Sequence, residues 1–251
     1  MKLLRNNQEP ILILGVTLAL VAIYAFARIP TTEGFNPSDD GVILAQSFRI
    51  LNGEVPHHDF ISIRPAGSGF MHLLHYLSPL PLELSARWLV LLEYLIYSIL
   101  IAVILIGSWF KGLRKVPYYL LITGSILVMF VLNQNHYNLF PWTTIDGLFW
   151  FSLALYAWYR LKNLVTGKPL FWKTLLLFSV SFSTLCRQTF ILPGILLVIR
   201  VIIWEAVTQK KTAGQILRSL LPAVLIGLLP AWLYMGMLTM TGSWSDFIQQ
   251  M

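Results

Sequence analysis

Two neighbouring carboxylates, Asp39 and Asp40, stand in Asn36-Pro37-Ser38-Asp39-Asp40-Gly41, and Glu54, His57, His58, Asp59 and Arg64 follow within the same polar segment. Such a set suits transfer of a group onto a hydroxyl. A carboxylate takes the acceptor's proton, and cations receive a departing phosphate as negative charge builds on it. Arginine fits the second task because its planar guanidinium meets phosphate oxygens with two parallel N–H bonds. A second candidate cation, Arg187, sits in Leu185-Cys186-Arg187-Gln188-Thr189 and interrupts what would otherwise be one apolar run from Phe171 to Trp204. A charge at mid-bilayer costs about 2.5–3.5 kcal/mol on insertion scales, so Arg187 is expected at a turn or in a polar cavity. Asp146 lies just inside another apolar run, beside Trp142 and Thr143.

The elements that must position these residues belong to a membrane. The 251 residues are 57% hydrophobic and 12% charged, far outside the range of a soluble core. The net charge of +7 comes from cations in short clusters between apolar runs, which reads as a topology signal and excludes a nucleic-acid-binding face. A single cysteine, Cys186, rules out an internal disulfide and a cysteine-based zinc site.

The apolar runs are Ile11 to Ala27, Leu84 to Phe110, Pro117 to Leu132, Thr144 to Tyr159, Phe171 to Leu185, Phe190 to Trp204 and Ile216 to Met240. The expected fold is therefore all-α, a polytopic transmembrane bundle of about seven spans. In that arrangement 12 of the 18 basic residues fall on the N-terminal side, which makes the N-terminus cytoplasmic and residues 31–83 an outer loop. Ile11 to Ala27 exceeds the usual length of a signal-peptide core and is read as an uncleaved first helix.

Within the loop, Gly41 to Asn52 reads as an interfacial helix capped by Ser38 or Asp39, with Val42, Ala45, Phe48 and Leu51 on one face. Ala66 to Leu80 is too short to cross, carries His72 and His75, and ends in Pro79 and Pro81. It reads as a second interfacial helix.

Each constellation also has a structural explanation. The aspartates can be a cap and a solvated neighbour, Arg187 the mark of a tight outer turn, Asp146 an interfacial acid, and Trp142 an aromatic of the interfacial belt. Adjacent His57 and His58 with Asp59 point in different directions along an extended loop, so a metal site there is disfavoured. Glu93 and Arg87 read as groups that satisfy partners inside the bundle.

The acidic pair after the first span, the Gly53-Glu54-Val55-Pro56 turn and the Arg64-Pro65 step come in an order that resembles the polytopic GT-C glycosyltransferases. The similarity is to those that use polyprenyl-phosphate sugars, the protein O-mannosyltransferase and aminoarabinose-transferase group, and it runs from about residue 10 to residue 205. The family usually has Asp-Glu where this chain has Asp39-Asp40, and Lys-Pro-Pro where it has Arg64-Pro65-Ala66.

The resemblance implies Asp39 as general base, with Asp40 as its orienting neighbour, and Arg64 and Arg187 on the donor phosphate. It implies Asp146, Trp142, Gln188, His58 and Asp59 as substrate-binding candidates. It also implies an inverting transfer of a sugar from a polyprenyl-phosphate donor to a hydroxyl of a lipid, glycan or protein acceptor, at the outer face of the cell membrane. The lipid-linked sugar is the co-substrate, and no other cofactor is called for. Some relatives bind a metal through an acid before the basic-Pro step, where this chain has Ile63. Family members are generally longer, so the chain is expected to be a single membrane domain from the N-terminal part of such an enzyme.

No phosphate-cradling glycine loop, nucleotide fingerprint or nucleophile elbow is present, which disfavours a nucleotide-sugar donor at the cytoplasmic face. The rival readings are a transporter, whose usual internal repeats are not seen here, and an inactive lipid-binding subunit.

Overall fold

The computed structural model describes residues 13, 15–24, 40–110, 114–137, 139–163 and 168–251. Asp39 and both ends of the expected first span lie outside the described residues.

Every regular element among those described is helical. In chain order they are α1 (Gly15–Tyr24), α2 (Asp40–Leu51), α3 (Gly67–Met71) with a 3-10 turn at His72–Leu77, α4 (Leu82–Trp109), α5 (Lys115–His136) and α6 (Thr143–Lys162). There follow α7 (Pro169–Cys186), a 3-10 turn at Gln188–Phe190, α8 (Ile191–Val207), α9 (Ala213–Gly227), α10 (Leu229–Met240) and α11 (Trp244–Gln250).

Four helical segments are long and apolar enough to cross a membrane: α4, α5, α7, and α8 together with the turn before it. A fifth crossing results if α9 and α10 count as one span. They meet at a 56° bend, where one continuous helix was expected over Ile216 to Met240. Pro230, in the first turn of α10, has no N–H to give to a preceding carbonyl, and its ring crowds the turn before it. The start of α9 is fixed by a capping box, in which Thr212 Oγ1 accepts from the Gln215 N–H and Gln215 Oε1 accepts from the Thr212 N–H.

α6 falls outside the apolar set because it carries Thr143, Thr144, Asp146, Ser152, Arg160 and Lys162. Its position accounts for this composition, since it runs between α4 and α7 and is shielded by both. Ala154, Ala157 and Leu161 let it approach Leu176, Leu177 and Val180 of α7, and Leu197, Val201 and Ala223 complete that core from α8 and α9. Small residues on α6 allow close backbone packing, as bundles in lipid favour. A second core joins Val21 of α1, Val90 and Tyr94 of α4, Phe130 of α5 and Ile145 of α6.

The outward face of α8 shows the opposite chemistry. Ile191, Ile195, Ile199 and Ile203 recur every fourth residue and are exposed, with Leu192 and Leu196 beside them. A stripe of this length is stable against hydrocarbon and costly against water.

Candidate functional site

The polar residues gather where α2, the 55–66 segment, the start of α6 and the end of α7 meet. α2 begins at Asp40, and its flank from Val42 to Arg49 forms one wall of a cavity of about 380 Å3. Ser62 and Arg64 line it from the loop, and Trp142 and Thr143 from the approach to α6.

The loop is held in shape by its own polar groups. Gly53, at φ +86°, turns the chain after α2 in the left-handed region that glycine adopts without strain. Asp59 Oδ2 accepts from the Val55 N–H at 2.7 Å and Asp59 Oδ1 lies 2.8 Å from His58 Nδ1. The Val55 N–H, and then the His58 ring, hold the Asp59 carboxyl below the usual aspartate range. Arg49 pairs with Glu54, donates to the Asp59 carbonyl at 2.9 Å, and lies over the Phe60 ring.

A further tie reaches across the bundle. His57, at φ +71°, is buried, with Nε2 2.7 Å from the Tyr234 hydroxyl of α10 and Nδ1 3.0 Å from Gln250 Oε1 of α11. Gln250 Oε1 also accepts from the Ser62 N–H, and its Nε2 donates to the His57 carbonyl. Burial lowers the His57 imidazole from its ordinary value, against opposing contributions from Gln250 and Asp246.

Two close backbone approaches then bring the arginines together. A Cβ on Gly67 would stand 2.5 Å from the Leu185 carbonyl carbon, so only glycine lets the loop seat on the end of α7. A Cβ on Gly147 would meet the Phe190 ring at 2.3 Å, so glycine also lets the Arg187–Phe190 turn press onto α6. The result places Arg64 Nη1 against the Thr143 hydroxyl and Arg187 Nη1 against the Thr144 hydroxyl, each arginine donating to the first turn of α6. Burial, and the Arg187 charge beside it, pull the Arg64 guanidinium below its ordinary value. Among the described residues, no carboxylate forms an ion pair with either arginine. Two guanidinia therefore share the first turn of α6, where the helix dipole is positive, with no carboxylate paired to them among the described residues.

The sequence-predicted residues fall into distinct groups. Arg64 and Trp142 line the cavity, and Arg187 joins Arg64 at its α6 border. Asp40 opens α2, two residues before Val42 in the wall. His58 and Asp59 pair with each other on the loop, outside the cavity lining. Gln188 begins the turn after Arg187, and its Oε1 is buried without a hydrogen-bond partner.

Asp146 is fully buried, with Oδ1 3.3 Å from His72 Nε2, and it faces Glu93 of α4. His72 and His75 thus point into the bundle, and the expected single helix over Ala66 to Leu80 is instead α3 and a tight 3-10 turn. Asp146 supplies a buried polar partner for that side of the turn.

Sequence reasoning passed over the threonines that receive both arginines and the Gln250 tie. Thr143 and Thr144 carried a signal, since paired hydroxyls with an acid two residues on, Asp146, mark a helix start. Gln250 carried none.

Comparison with known proteins returns no match: no family model fits the sequence, and no curated protein or solved structure is significantly similar to it.

Proposed function

We propose that the chain is the catalytic membrane region of an inverting glycosyltransferase that moves a sugar from a polyprenyl-phosphate donor to a hydroxyl acceptor. The observation that carries this reading is the pair of arginines, Arg64 and Arg187, that have no carboxylate partner among the described residues and meet at the first turn of α6 beside a cavity of about 380 Å3. Like charges placed together in a half-buried site call for an anion, and a phosphate accepts from both guanidinia and from helix N–H groups. The volume lies within the range of small-ligand pockets. Trp142 offers the sugar an aromatic face, and the apolar flank of α2 leaves room for the first units of a prenyl chain.

In this mechanism Asp39, oriented by Asp40 at the head of α2, takes the proton of the acceptor hydroxyl. The acceptor oxygen bonds to the anomeric carbon as the bond from that carbon to the phosphate oxygen breaks. The phosphate leaves with the electron pair, and Arg64 and Arg187 neutralise the charge it gains. Direct displacement inverts the anomeric centre. The N-terminus is cytoplasmic and the cavity opens to the outer leaflet of the cell membrane, where a lipid, glycan or protein acceptor is reached.

The test is transfer from labelled polyprenyl-phosphate sugars by membranes that contain the full-length protein. Product is expected from the wild type and at background level from Asp39→Asn and Asp40→Asn combined. Undiminished transfer by that double variant removes the reading.

A further inference from the structure

Behind the arginine pair lies a second set of titratable groups to which the transfer steps above assign no part. Glu93 comes from α4, Asp146 from α6, and His72 and His75 from the 3-10 turn after α3, and all four are buried. They form a continuous chain. His75 Nε2 lies 2.7 Å from His72 Nδ1, His72 Nε2 lies 3.3 Å from Asp146 Oδ1, and Asp146 is within hydrogen-bonding reach of Glu93.

The far end of this chain is unsatisfied. Asp146 Oδ2 and both carboxyl oxygens of Glu93 are buried and receive no hydrogen bond from any donor among the described residues. Two carboxylates in contact have only acceptors to offer each other, so the contact becomes a hydrogen bond only when one carries a proton. Two unprotonated carboxylates there would also place two negative charges in a low-dielectric interior, at a cost of several kcal/mol per ion. Among the described residues, no three His, Cys, Asp or Glu side chains are grouped so that they could ligate a metal ion in place of the proton.

The other groups that face the carboxyl pair do not supply the missing charge. Among the described residues they are Tyr94 on α4, Tyr137 before α6 and Cys186 at the end of α7, none of which can carry a positive charge. A void of about 10 Å3 beside Glu93, lined also by Tyr97, Asn133 and Tyr137, is the size of one water.

We propose that Glu93 and Asp146 share one proton and, with His72 and His75, form a buried proton-binding site that links the interior of the bundle to the loop carrying Arg64. The proton sits on Glu93 or on Asp146 Oδ2, and whichever holds it donates to the other. Asp146 Oδ1 remains free to accept from His72 Nε2, so the shared proton and the docking of the turn belong to one hydrogen-bonded chain. The His72 Nε2–H donates to Asp146 Oδ1, and His72 Nδ1 accepts from the Nε2–H of His75, whose imidazole is pushed down to about 4 by burial and by His72, against the opposing charge of Asp146, and so keeps a single N–H. The ligand of this site is a proton, and the inference stands independently of the reaction at the arginines.

Infrared difference spectroscopy of the full chain in lipid nanodiscs, in light and heavy water, reads the site directly. At pH 7 the wild type is expected to show a protonated carboxylic-acid carbonyl band, shifted by deuteration and equivalent to one group per chain. Glu93→Gln keeps the shape of the protonated acid and is expected to abolish the band, as is Asp146→Asn. Should neither variant fold, carbon-13 labelling of the glutamate or aspartate carboxyls in the wild type must lower the frequency of the band. Absence of the band in the wild type at pH 7, its survival in both variants, or its indifference to both labels overturns the proposal.

Discussion

The two ends of α7 carry polar clusters of similar make-up and opposite condition. At the N-terminal end, Lys173 is buried but complete: it pairs with Glu205 of α8, and its Nζ lies 3.0 Å from the Ser219 hydroxyl of α9. Glu205 is held further by Lys211 at 2.9 Å and by the Ser219 hydroxyl at 2.8 Å. At the C-terminal end, among the described residues, Arg187 and Arg64 pair with no carboxylate, Gln188 Oε1 has no partner, and the carboxyl oxygens of Glu93 lie unmet nearby in the bundle. A buried charge that finds all its partners inside the protein is explained by folding alone. One that does not is waiting for something from outside, and natural proteins keep such groups chiefly where they function.

The complete end is the more sensitive of the two to substitution. Glu205→Ala leaves Lys173 buried without its counter-ion and is expected to destabilise the fold by about 3–5 kcal/mol, read as a large fall in unfolding temperature in detergent. A shift no larger than that of an exposed ion pair would show that this end is not the closed network described.

Acid sharpens the contrast from the other side. The His75 imidazole is depressed in the folded chain to about 4, so between roughly pH 6.5 and 4 the unfolded chain binds more protons than the folded one. Stability from this residue is complete above the unfolded value and is lost as pH falls through that window, by up to about 3 kcal/mol. His57, lowered mainly by burial, acts with the same sign. Unfolding measured across this range should show the slope in the wild type and a shallower one in His75→Gln, and equal slopes would contradict the burial of that ring.

Gln250→Ala removes three contacts that pin the Arg64 loop to α11, and about 1–3 kcal/mol of local stability is expected to go with them. Faster amide hydrogen exchange at Ser62 than in the wild type checks this. The smallest expected change in stability belongs to Arg187→Gln, about 1 kcal/mol or less, because the hydrogen bond to Thr144 is lost but no ion pair among the described residues goes with it and repulsion with Arg64 is relieved. A large loss of stability there would mean that the arginine is structural.

Much of this arrangement was legible beforehand. Apolar runs located α4, α5, α7 and α8, and Arg187 announced the turn between the last two because a cation within a continuous span is costly. α2 was readable from its spacing to within a residue at either end. The bend between α9 and α10 was harder, since apolar composition continues through it and only Pro230 and its local geometry break the helix. The burial of His72 and His75 was not legible, because it depends on Asp146, 74 residues from His72 in the chain. Glu93 was the available clue: an acid inside a long apolar run must find a partner in the bundle, and that partner proved to be another acid.

The most direct measurement is binding of a polyprenyl phosphate to the full chain in nanodiscs, compared between wild type, Arg64→Ala and Arg187→Ala at matched folding. Each charge-assisted contact is worth roughly 1.5–3 kcal/mol, so each substitution should weaken binding by about 10- to 100-fold and leave the unfolding temperature near that of the wild type. Binding unchanged in both variants would contradict the assignment of this arginine pair as a lipid-phosphate site.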